Sequence, residues 1–171
     1  MSNISIRIGS IFLLFAGLAG CAPPTATAPL GPEEEKVKQL FVSFQNALKA
    51  HDADKIWALL YTDSQDDAER KAETVRDRYA KASEAEKVEL EKALGLPGAE
   101  LGALQGIGFV KTKRFLGKYE DVLDSKIEKI VVTGDRGVVS YVEDDGDRSS
   151  FDAYRRGGEW KLAVPMPSAK Y

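Results

Sequence analysis

The stretch KIEKIVVTGDRGVVSYVEDDGDRSSFDAYRRGGEWKLAV, residues 126–164, decides the fold. Gly134-Asp135, Asp145-Gly146 and Gly157-Gly158 punctuate it, each between runs with strand-like alternation. Asp-Gly and Gly-Gly pairs are hairpin signals, because tight hairpin turns need positive φ. The segment therefore predicts a four-stranded antiparallel meander with strands near 126–133, 136–144, 147–156 and 159–165. If each turn is a two-residue loop, 131 pairs with 138, 138 with 153, and 153 with 162. One face then carries Ile127, Val131, Val138, Ser140, Val142, Phe151, Ala153, Trp160, Leu162 and Val164, almost wholly apolar. The other carries Ile130, Val132, Val139, Tyr141, Asp152, Tyr154, Lys161 and Ala163. A slip of one residue would exchange faces, so the division tests the register. An apolar sheet face must be covered, and the residues available to cover it lie upstream.

Those residues read as helices. Val37, Leu40, Phe41, Phe44 and Leu48 recur at helical spacing behind Glu33, Glu34 and Glu35, which suit the positive end of a helix dipole. This first helix should reach about Ala50, where His51-Asp52-Ala53-Asp54 breaks it and offers a cap for a short second helix containing Ile56, Trp57, Leu59 and Leu60. A charged, half-exposed third helix should run from near Ser64 to Lys81, with Ala68, Ala72, Val75 and Tyr79 inward. Ser83-Glu84-Ala85-Glu86 is a capping box opening a fourth, which Gly95 and Pro97 end. Two short elements follow, one holding Leu101 and Leu104, the other Phe109, Val110, Phe115, Leu116 and Tyr119. The fold class is α+β: N-terminal helices packed on a C-terminal meander, spanning residues 33–171.

The N-terminus belongs to no fold. One basic residue, Arg7, precedes an apolar run from Ile8 to Ala19, which suits a secretory signal and is too short to span a bilayer. The run ends in Leu18-Ala19-Gly20-Cys21, which resembles the lipobox of bacterial lipoproteins at all four positions. That resemblance implies a leader of residues 1–20 removed before Cys21, a diacylglycerol on its sulfur, and acylation of the new amine. Several acyl chains anchor durably where one binds marginally. Ala22 stands where an aspartate would signal inner-membrane retention, so the expected location is the outer membrane, facing the periplasm. Four of the seven prolines lie between Ala22 and Pro32, an extended tether.

Composition narrows the functions. Hydrophobic residues at 43% and charged residues at 30% allow a packed core. The net charge of −3 becomes −4 once Arg7 leaves with the leader, so the chain lacks the basic patch that nucleic acid requires. With one cysteine there is no intrachain disulfide and, after lipidation, no thiol nucleophile.

Two stretches carry a resemblance to a larger family: Val37 to Leu60, an amphipathic helix, a polar break and a short helix ending in paired apolars; and the final Gly157-Gly158-Glu159-Trp160-Lys161-Leu162 strand. Together with the element order, they resemble the nuclear-transport-factor-2-like superfamily over about residues 34–165. The resemblance implies a cone of helices closed on a curved sheet, with dimerisation through the sheet common. The superfamily holds both enzymes and non-catalytic domains, so fold alone does not choose between them.

The candidates for chemistry are few. Tyr141, Asp152 and Tyr154 share the mixed sheet face in this register, and an Asp beside Tyr hydroxyls is the arrangement a small lyase, isomerase or hydrolase would use. His51 sits between two aspartates in a helix break and reads as a surface residue. Glu143, Asp144, Asp145 and Asp147 cluster at one hairpin tip, without the length of a calcium loop. Gly106-Ile107-Gly108 is too short for a phosphate loop. No metal or cofactor is implied. The expectation is a lipid-anchored, non-catalytic domain that binds a small molecule or another envelope protein, with Val139, Tyr141 and Tyr154 as a homodimer contact.

Overall fold

The computed structural model describes residues 29–169. The leader, Cys21 and tether residues 22–28 lie outside the described residues. Helix α1 spans Pro32–Lys49. It begins one residue earlier than the tether reading implies, because proline has its φ preset and no N–H to leave unpaired at the first helical position. The Gly31 N–H donates to the Glu34 carboxylate at 2.7 Å, closing the first turn. Helix α2 is Ala53–Leu59, capped by the Asp52 side chain, which accepts from the Lys55 N–H. Helix α3 is Thr62–Lys81, with Ala68, Ala72 and Val75 fully inward. Helix α4 is Glu84–Leu94, with the Ser83–Glu86 capping box formed and Gly95 left-handed. Three short helices follow: α5 Gly98–Gly102, α6 Gly106–Phe109 and α7 Lys113–Lys118. Among the described residues no helix is long and apolar enough to cross a membrane.

The sheet is antiparallel in the order β1-β2-β3-β4, with β1 Lys126–Thr133, β2 Arg136–Val142, β3 Arg148–Arg156 and β4 Glu159–Ala163. Two hairpins have the expected two-residue loops: Val131 faces Val138, and Ala153 faces Leu162. The middle one does not. Val138 pairs with Asp152, and Ala153 with Gly137. The Glu143 N–H donates to the Asp147 carbonyl at 2.8 Å and the Gly146 N–H to the Glu143 carbonyl at 2.9 Å. These bonds make a three-residue loop, Asp144-Asp145-Gly146, with Gly146 at φ 93°, a left-handed position that a β-carbon would strain.

That extra loop residue exchanges the faces of β1 and β2 relative to the expected division. Ile130, Val139 and Tyr141 join Phe151, Ala153, Trp160 and Leu162 on the buried face. Val131, Val138, Ser140 and Val142 lie on the outer face with Asp152, Tyr154, Lys161 and Ala163. Val139 is 0% exposed and Val131 42%. Ile127 nevertheless stays inward, opposite Tyr141, because a bulge between Ile127 and Lys129 shifts the register locally.

Helix α1 packs across the buried face. Phe41 lies 5.1 Å from the Tyr141 ring, and Phe44 meets Phe151 edge-on at 5.8 Å. Phe115 and Tyr119 extend the same aromatic cluster at 5.0 Å. Fully burying a Phe stabilises by roughly 1.5–3 kcal/mol, so Phe41 and Phe44, both 0% exposed, hold the helix to the sheet. The Glu33 carboxylate accepts from Trp160 Nε1 at 2.8 Å and Arg155 Nη1 at 3.2 Å, tying the first turn of α1 to β3 and β4. At the far edge, Leu60 bridges to Leu162 and the Tyr61 N–H donates to the Leu162 carbonyl at 2.7 Å, covering β4.

Candidate functional site

The candidate centre named from sequence is not assembled. Tyr141 is on the buried face and only 2% exposed. Asp152 lies on the outer face, where its Oδ1 accepts from Arg136 at 2.8 Å and 3.1 Å. Tyr154, also outside, packs its ring 5.0 Å from Tyr61. The sheet itself separates Tyr141 from the other two, which corrects their placement on one face. The same correction applies to the proposed dimer contact: Val139 and Tyr141 are buried, leaving Tyr154 outside with Val131 and Val138.

Tyr141 instead helps line a cleft of about 200 Å³ at the hairpin end of the sheet, with Lys118, Tyr119, Val122, Glu143, Ser149 and Phe151. Strand pairing sets Tyr141 opposite Ser149, whose side chain hydrogen-bonds the Tyr141 hydroxyl. Tyr119 arrives from the end of α7, and its hydroxyl donates to the Pro165 carbonyl. The Phe151 ring lies 5.9 Å from that of Tyr119 and 5.4 Å from that of Tyr141. Glu143, just past the end of β2, brings a carboxylate to the opening.

The electrostatics follow from burial. Burial pushes the Tyr119 hydroxyl well above the ordinary tyrosine range, and nearby Tyr141 adds to it. Tyr141 is also raised by burial; the Ser149 hydrogen bond opposes this and Glu143 adds to it. Both phenols are therefore neutral at neutral pH, hydrogen-bonding groups rather than bases. Glu143 is raised by burial first, then by the like charges of Asp121, Asp145 and Asp147.

The remaining sequence candidates have local explanations. His51 is exposed at the end of α1. The Gly106 N–H, which a phosphate would have to reach, donates to the Glu69 carboxylate. At the acidic tip, Asp145 accepts from the Asp147 N–H at 3.0 Å. Among the described residues no group of three or more His, Cys, Asp or Glu is placed to hold a metal. Lys118 and Tyr119 were missed from sequence because they are distant from Tyr141 along the chain and match no motif, and Ser149 because a two-residue loop sets Ser150 opposite Tyr141 instead. The one available signal was that Ser149 must face Tyr141 once the loop is three residues long. No protein-family model, curated protein or solved structure matches the chain.

Proposed function

We propose that this chain is a lipid-anchored cell-envelope protein whose α+β domain binds a small molecule or another envelope protein and is not a catalyst. The anchor is lipid on Cys21, and the location is the outer membrane, facing the periplasm. The lipobox residues Leu18-Ala19-Gly20-Cys21 and Ala22 support this part. The domain is read as a cone of the nuclear-transport-factor-2-like build, with α1 lying across the sheet's buried face. The observation that carries the binding reading is the cleft at Tyr119, Tyr141 and Glu143, while Tyr141, Asp152 and Tyr154, the set considered for a lyase, isomerase or hydrolase, are divided between opposite faces of the sheet.

The anchor is tested by fractionating cells that express the full chain and its Cys21→Ala variant. Wild type is expected with the membranes and the variant in the soluble fraction. A variant still in the membranes removes the lipid reading. For the domain, chemical crosslinking in intact cells should trap a specific adduct that Glu143→Gln or outer-face Val138→Glu abolishes. An adduct pattern indifferent to both variants counts against a binding role for either surface.

A further inference from the structure

The cleft has a chemical character that selects among small molecules. Its wall includes Tyr119, Tyr141 and Phe151, each only 2–4% exposed, with Lys118 and Glu143 beside them. The protein already places an ammonium on this wall: Lys118 Nζ lies 5.7 Å from the Tyr119 ring centroid, within cation–π range. Asp121, Asp145 and Asp147 lie close enough to Glu143 to act on its charge. Among the described residues, none of these four carboxylates is in an ion pair. Lys118 and Glu143 are the charged residues lining the cleft, and the three exposed aspartates that act on Glu143 add negative charge beside it.

We propose that the cleft binds a small organic cation, an alkylammonium group, which displaces the Lys118 ammonium from the face of Tyr119 and lies against Glu143. This rests on the reading of the domain as a binding module. The volume of about 200 Å³ is below the usual range for drug-sized ligands and suits a head group such as tetramethylammonium or butylammonium. An anion would be repelled by Glu143. The Tyr141 and Ser149 hydroxyls offer oxygen acceptors to an N–H. Lys118 acts as a resident competitor, so the two charged residues of the cleft have opposite effects: removing Lys118 frees the ring, and removing Glu143 weakens the pull.

The test is titration of the full chain in detergent, followed by amide NMR shifts. Tetramethylammonium and butylammonium are the probes, with butanol and butyrate as controls at constant ionic strength. Both ammonium ions are expected to saturate and to shift the amides of Tyr119, Ser149 and Ser150, while butanol and butyrate do not. Lys118→Met should tighten butylammonium binding about three- to fivefold and Glu143→Gln should weaken it by a similar factor. Butanol binding as well as butylammonium overturns the proposal, as does the absence of saturation by either ammonium ion in wild type. Neither outcome depends on a variant folding. If the ammonium ions fail while the crosslinked adduct still depends on Glu143, the binding-domain reading stands and the cation does not.

Discussion

His51 is the only described non-glycine residue at positive φ, 51°. Its position explains this. The Asp52 N–H donates to the Ala47 carbonyl and the His51 N–H to the Leu48 carbonyl, at 2.9 and 3.0 Å, which closes α1 with a Schellman motif and puts His51 where glycine is favoured. A left-handed β-carbon costs roughly 1–2 kcal/mol. His51→Gly should therefore raise stability by about 1 kcal/mol, read as a higher urea midpoint at unchanged slope. A midpoint that stays or falls would mean the imidazole contributes something the backbone does not reveal. The strain at this residue is thus accounted for by helix termination, and no chemistry has to be invoked for it.

At the scale of elements, the register is the claim most exposed to experiment. Val138 and Val139 are adjacent in sequence and lie on opposite faces of β2. Val139→Thr puts a hydroxyl into a fully buried position, costing roughly 1–3 kcal/mol, whereas Val138→Thr should stay within about 0.5 kcal/mol. Denaturation midpoints of the two variants decide between this register and the two-residue-loop alternative, which predicts the reverse. Helix ends were readable beforehand because their signals are local: Ser83 with Glu86, Asp52 before α2, Gly95 after α4. The β2–β3 turn was not, because Asp145-Gly146 serves equally as a whole two-residue loop or as the end of a three-residue one. That single ambiguity moved Tyr141 to the wrong face and with it the candidate site. The bulge beside Glu128 was equally hidden, since nothing in Ile127-Glu128-Lys129 distinguishes it from regular strand.

For the whole molecule, the tie between its two ends is electrostatic. Hydrogen bonds from Lys36 and Trp160 hold the Glu33 carboxyl below its ordinary value, with smaller help from the charges of Lys36 and Arg155. A carboxyl whose folded value lies below its unfolded one adds stability at neutral pH, and loses it as pH falls through the folded value. Wild type should therefore exceed Glu33→Gln in melting temperature at neutral pH, with the gap closing through the carboxylate range. A gap that is constant with pH would show that Glu33 acts through packing and not charge. One last consequence concerns the rims of the sheet. The β4 rim is occupied by Leu60 and Tyr61 from the α2–α3 connection, and the β1 rim is kinked beside Glu128 and carries Lys126 and Lys129. Neither presents the long, flat, uncharged ladder on which another chain could crystallise into cross-β stacks, so the fold is built to resist fibre growth even when copies are crowded together.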